Sequence, residues 1–189
     1  MEALAAAFFT AAIALLGKIF FDLWNRQHER RGIAGALAGE IGAYISFFEQ
    51  QPLTEGYRKL AAAPRNERVR GLSSMMAPPS GHPVFDKLAG QLGRLSPARA
   101  CEVSRFYNVA TGLRLLLAHL SSPKFLEADD RIQQATLEYL AAGHDKYVPL
   151  ARALVTELED VARESVWSVM MVKLADARRR LTTHQKPTP

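Results

Sequence analysis

A run of apolar residues opens the chain and limits everything that follows it. Ala3 to Trp24 reads ALAAAFFTAAIALLGKIFFDLW. As a helix, these 22 residues rise roughly 33 Å, enough to cross a hydrocarbon core about 30 Å thick. Ten of them are Leu, Ile or Phe, which together favour insertion by about 3 to 6 kcal/mol. Lys18 and Asp22 oppose this, each at a cost of about 2.5–3.5 kcal/mol if placed at the bilayer centre. Both lie toward the C-terminal end, where Lys18 can snorkel to the headgroups and the two can pair on one helix face. Trp24 suits the interface. Only Met1 and Glu2 precede the stretch, whereas Arg26, Arg30 and Arg31 follow it. The positive-inside rule therefore predicts a single-pass protein of a bacterial inner membrane, with its N-terminus outside and the rest in the cytoplasm. A cleaved signal peptide would carry a basic leading region, which is missing. A surface-lying helix would need a broad polar face. The competing reading is a helix buried in a core.

The rest of the 189 residues reads as all-α, because no segment alternates apolar and polar residues with period two. The expected organisation is a transmembrane anchor over 1–24, a cytoplasmic helical domain over 25–181 and a disordered tail over 182–189. About four main helices form the domain. The first runs from Ile33 to Gln51 and stops before Pro52, with Ile33, Leu37, Ile41, Tyr44, Ile45, Phe47 and Phe48 on one arc. Gly35, Gly39 and Gly42 lie opposite. Since each glycine costs up to ~1 kcal/mol inside a helix, they invite either close approach of another group or a merely weak helix. A short helix is expected over Thr54–Ala62, a mobile loop with Arg65, Arg68 and Arg70 over Pro64–Pro83, and another short helix from His82 to Leu92. Ser96-Pro97 marks the start of a helix to Leu120, with Val103, Phe106, Tyr107, Ala110, Leu113, Leu117 and Leu120 as its stripe. Two further helices are expected. Lys124–Ala142 buries Phe125, Ala128, Ile132, Ala135 and Tyr139. Tyr147–Arg180 buries Tyr147, Leu150, Leu154, Leu158, Val161, Ser165 and Val172, with Pro149 in its first turn.

Two segments carry a resemblance. One is Ala36-Leu37-Ala38-Gly39-Glu40-Ile41. The other is His82-Pro83-Val84-Phe85-Asp86, followed by Gln91-Leu92-Gly93-Arg94-Leu95 and Arg105-Phe106-Tyr107. Over about residues 1 to 120 the pattern resembles a group of uncharacterised bacterial proteins with one N-terminal transmembrane helix. The resemblance implies the topology and a helical fold. It implies no activity and transfers no functional residues.

Chemistry-bearing motifs are scarce. The histidines His28, His82, His119, His144 and His184 form no Glu-x-x-His pair of the di-iron kind, and Cys101 is the lone cysteine. Cys101 and His119 stand roughly 27 Å apart along one helix, too far for a dyad. No nucleophile elbow or phosphate loop occurs. The expectation is therefore a non-enzyme without cofactor or metal. The formal charge of +5 permits contact with anionic lipid or nucleic acid. No reading motif accompanies it, so nucleic acid is not an expected partner.

Three sets of residues look out of place. Glu40 and Arg114 fall on apolar stripes, and a lone buried charge needs a partner. They either pair with each other between helices or reach water at the stripe edges. Trp167, Met170, Met171 and Leu174 make a second apolar face on the last helix, which needs a cover: a protein partner such as a second copy, the membrane surface, or another helix in a central burial. Arg26, Arg30, Arg31, Arg178, Arg179 and Arg180 are candidate contacts for anionic lipid. The expected function is a membrane-anchored interaction or scaffold module. The alternatives are a ligand-binding or enzymatic helical domain with a pocket near the glycine-rich helix, and a basic sensor of anionic lipid or nucleic acid.

Overall fold

The computed structural model describes residues 2–50, 53–73, 81–165, 167–168, 171–172 and 175. Every regular element among them is helical. In chain order they are α1 (Glu2–Gln50), α2 (Leu53–Ala62), α3 (Arg65–Ser73), α4 (Pro83–Leu88), a 3-10 turn (Ala89–Arg94), α5 (Pro97–Leu120), α6 (Pro123–Leu126) and α7 (Asp130–Arg163). The domain is thus built on three long helices, with four short ones around them.

The anchor and the first domain helix are one element. α1 has 49 residues, roughly 74 Å of unbroken helix. The sequence between Trp24 and Ile33 is NRQHERRG, rich in good helix formers and free of proline, so nothing there ends the helix. Exposure changes sharply along it. Phe8, Phe9, Ile13, Leu15, Leu16 and Phe21 are exposed, whereas Ile33, Ala34, Leu37 and Ile41 are buried. By length and composition, α1 is able to cross a membrane, and no residue of its most apolar window is buried in the protein.

α7 is also longer than its sequence suggests. It runs through both Gly143 and Pro149. The reason is a continuous buried stripe of Gln133, Leu137, Leu140, Ala141, Ala151, Leu154, Leu158 and Val161, all on one 3.6-residue period. Gly143 weakens such a helix by only ~1 kcal/mol, and Pro149 sits on the exposed side. The stripe expected for residues 124–142 is therefore turned. Ile132 and Tyr139 face outward, while Gln133 and Leu137 face in. Leu150 and Val172 are likewise exposed. The helix ends at Arg163 rather than at Arg180, and Ser165 Oγ accepts the Trp167 N–H at 3.2 Å to open a new helical turn.

The second half of α1 and then α2 lie antiparallel along α7. Arg152 pairs with Glu49, Arg30 with Glu164 at 3.1 Å, and Arg58 of α2 with Asp145. Two apolar clusters result. One joins Leu37, Ile41, Val103, Tyr107, Leu154 and Leu158, among others, and the other centres on Tyr57, Leu72, Leu120, Phe125, Leu137 and Leu140. The expected loop after Pro64 contains α3. Arg68, only 3% exposed, holds it in place by donating to the carbonyls of Leu60, Ala61 and Ala63 at 2.9, 3.1 and 2.7 Å and by pairing with Asp130 at 2.5 Å. Arg65 donates to Ala128 O at 2.9 Å. These two arginines are internal ties.

Among the described residues, the glycine face of α1 has no neighbour close enough to require glycine. A Cβ at Gly32, Gly39 or Gly42 would meet nothing within 4 Å, and at Gly35 only Ala162 at an ordinary 3.6 Å.

Candidate functional site

Two features meet at the middle of the bundle. The first is a polar cluster around Glu40. α4 begins at His82, which gives its own helix no side-chain cap, so the first-turn N–H groups need another acceptor. Glu40 supplies it from α1. Its Oε1 accepts the Val84 N–H at 2.8 Å, and its Oε2 accepts the Phe85 N–H at 3.1 Å and the Tyr107 hydroxyl at 2.6 Å. One carboxylate thus joins α1, α4 and α5. The direct pair between Glu40 and Arg114 is not formed, since among the described residues no charged contact within 4.0 Å links them. The carboxylate is satisfied by backbone and phenol instead. Arg114 still belongs to the cluster, because its charge acts on Tyr44 and His82.

His82 is 95% buried, being 5% exposed. Its ring packs against Tyr44 at 5.2 Å and Tyr107 at 4.9 Å, and its Nε2 lies 3.3 Å from Thr111 Oγ1. Burial lowers its pKa below the ordinary 6.5, Glu40 and Asp86 opposing and Arg114 assisting. Burial raises the Tyr107 phenol, and its hydrogen bond to the Glu40 carboxylate raises it further. The Tyr44 hydroxyl, also raised by burial, donates to Gly81 O at 3.3 Å. Gly81 has φ +90°, a conformation that suits glycine. The cluster is a neutral-histidine clamp that fixes α4 to the bundle.

The second feature is an apolar groove that begins where the cluster ends. Its volume is ≈ 270 Å³, just under the ~300–1,000 Å³ usual for ligand pockets. α1 contributes Tyr44, Ile45 and Phe48, α5 contributes residues from Glu102 to Leu113, and α7 residues from His144 to Glu157. The walls are Phe106, Val109, Ala110, Val148, Ala151 and Leu154, and Glu102, Arg105 and Glu157 mark the rim. His144 stands at one end. Its Nδ1 lies 2.6 Å from Thr54 Oγ1, its Nε2 is buried without a partner among the described residues, and burial lowers its pKa. The groove therefore lies beside α1 but draws on none of its glycines.

The remaining candidate residues fall into different places. Arg30 and Arg31 are engaged inside the protein, Arg30 with Glu164 and Arg31 Nε with Ala162 O at 2.8 Å, which satisfies a carbonyl at the end of α7. Arg26 is exposed. Trp167 and Met171 are exposed, at 62% and 64%. Met170, Leu174, Arg178, Arg179 and Arg180 lie outside the described residues. The sequence alternative of a pocket near the glycine-rich helix has the right helix, since Tyr44, Ile45 and Phe48 line the groove, but not the right face or the other two walls. The available signal was the pair of stripes on α5 and α7, whose Phe106, Leu113 and Val148 are only partly buried.

Compared with protein-family models, curated proteins and solved structures, the chain matches none of them.

Proposed function

We propose that the chain is a membrane-tethered helical interaction module. In this reading the first half of α1 crosses a bacterial inner membrane with the N-terminus outside, and the cytoplasmic bundle offers the groove between α5 and α7 to a partner. The observation that carries it is the change of exposure along one unbroken helix. From Phe8 to Ile19 the large apolar side chains are exposed, and from Ile33 onward Ile33, Leu37 and Ile41 are buried in the core. Water is a poor solvent for such a surface, and lipid a good one. A removable leader is a weaker reading, because the same helix continues without a break into the bundle.

The groove suits the apolar face of a partner helix. It follows α5 from Glu102 to Leu113, roughly three turns, the span of anchors spaced i, i+3 or i+4, and i+7. A second reading, a small amphipathic ligand, is favoured by one observation, the unpartnered Nε2 of His144 at the end of an apolar cavity. No catalytic step is proposed.

The test has two arms. Alkaline carbonate extraction should leave the full chain in the membrane pellet, and a tag after Pro189 should be protected from protease in intact cells. Release without detergent would refute the tether. For the groove, Ala110→Trp and Ala151→Trp fill the cavity from opposite walls. A partner cross-linked to the native chain in detergent-solubilised membranes should be lost from both variants while their helical spectra stay unchanged. Retention of the partner in both would refute the groove as the docking site.

A further inference from the structure

Beyond the end of α7 the chain continues to follow α1 toward its apolar half. Ala162 lies against Gly35 and Arg31, Glu164 reaches Arg30 and Gln27, and the Trp167 ring lies 6.3 Å from Phe20. Each step in one direction meets an earlier residue of α1. Trp167 thereby joins Phe20 and Trp24, whose own rings are 6.2 Å apart, in one aromatic group. All three are open to the outside, at 62%, 40% and 43% exposure. Met171 and Val172 are exposed too.

We infer that Trp167, Met171 and Val172 form a second lipid contact, seated in the interface of the same bilayer that α1 crosses. The inference rests on the membrane-tethered reading above. Lipid is the occupant because the patch adjoins, through the Phe20 ring, the uncovered apolar surface of α1. Rings with one polar edge settle at headgroup depth, and this group supplies two indoles at the end of the apolar stretch. Arg26 is exposed on the bundle side of the group, where phosphates would lie. The bundle is then held to the membrane at two places, which fixes its tilt. The groove, opening at Tyr44, stands roughly 30 Å along α1 from Trp24.

The chain has two tryptophans, which makes the test direct. Full-length Trp24→Phe leaves Trp167 as the sole indole, and Trp167→Phe leaves Trp24. Each is reconstituted into phosphatidylcholine–phosphatidylglycerol vesicles carrying a quencher either near the headgroup or deep in the acyl chain. Both indoles should be quenched about twofold or more by the shallow label, and less by the deep one, as expected of interfacial rings. Quenching of Trp24 without Trp167 would overturn this inference and leave the tether intact. Quenching of neither would remove the tether and the inference together. Protection of Trp167 from both lipid quencher and aqueous iodide would mean a protein cover, and would also overturn it.

Discussion

Glu40 shows how a residue can be conspicuous in sequence while its role is not. A carboxylate among Ile33, Tyr44 and Phe47 is an anomaly that helical periodicity exposes at once. Its partners are two backbone N–H groups of α4 and the Tyr107 hydroxyl. Backbone donors leave no mark in a sequence, whereas Arg114 is a visible charge on a neighbouring stripe, so the sequence offers only a direct pair or an escape to water. Hydrogen bonds to a charged group contribute about 1.5–3 kcal/mol each. Glu40→Gln should therefore lower stability by about 2 kcal/mol and Tyr107→Phe by about 1–2 kcal/mol. In urea unfolding the double variant should lose less than the sum, because one change weakens and the other removes the bond the two groups share. Additive losses would mean that the phenol and the carboxylate act separately. Two buried histidines, one in this cluster and one at the end of the groove, set a pH dependence. His82 and His144 both have pKa values lowered by burial. Above the ordinary 6.5 both are neutral in either state. As pH falls below it, the unfolded chain takes up protons that the folded chain resists, so stability declines. Unfolding midpoints should fall between pH 7.5 and 5.5 (about one unit either side of the ordinary histidine value), and His82→Asn should flatten that slope relative to the native chain.

At the scale of elements, what was legible followed from phase and what was not followed from punctuation. The α5 stripe and its Ser96 cap were plain, and Ser96 Oγ does accept the Arg99 N–H at 3.4 Å. Gly143 looks like a helix end and Pro149 like a helix start, yet α7 passes through both because burial on one continuous face outweighs them. Treated as a separate helix, residues 124–142 have no fixed phase relative to the later stripe, and the sequence puts Ile132 inside where the structure puts Gln133. α3 was missed for the opposite reason. Its own sequence, RNERVRGLS, has little apolar periodicity. Contacts made by Arg65 and Arg68 to distant carbonyls organise it, and no local pattern encodes those. Pro149 remains a liability inside a 34-residue helix. It lacks the N–H that would bond the Asp145 carbonyl, a defect of about 3 kcal/mol, partly offset because proline also restricts the unfolded chain by up to about 1 kcal/mol. Pro149→Ala should thus stabilise the bundle by about 2 kcal/mol, seen as a higher urea midpoint with an unchanged m-value. A loss of stability would show that α7 needs a bend at that point.

For the whole molecule, the question is whether the first half of α1 belongs to the fold or to its surroundings. A core helix awaiting a cover and a membrane anchor have the same composition, and sequence alone separates them poorly. The distribution of buried residues separates them better. Neither apolar cluster contains a residue before Ile33, and Gln27 is the earliest buried side chain among the described residues. The ties that close α1 onto α7 begin at Gln27 and end at Glu49. A chain lacking residues 1–24 should therefore keep both clusters, all the capping bonds and the groove. It should dissolve without detergent, unfold in one cooperative step, and match the full-length protein to within about 0.5 kcal/mol, the scatter expected of changes remote from the core. Its exposed Trp167 and Met171 should still give weak, salt-tolerant association with vesicles, because apolar contact is not screened. Sedimentation with and without vesicles reads both properties from one sample. A truncated chain that aggregates or loses its cooperative transition would mean that the opening stretch completes a core, and that its apolar surface is meant for protein rather than lipid.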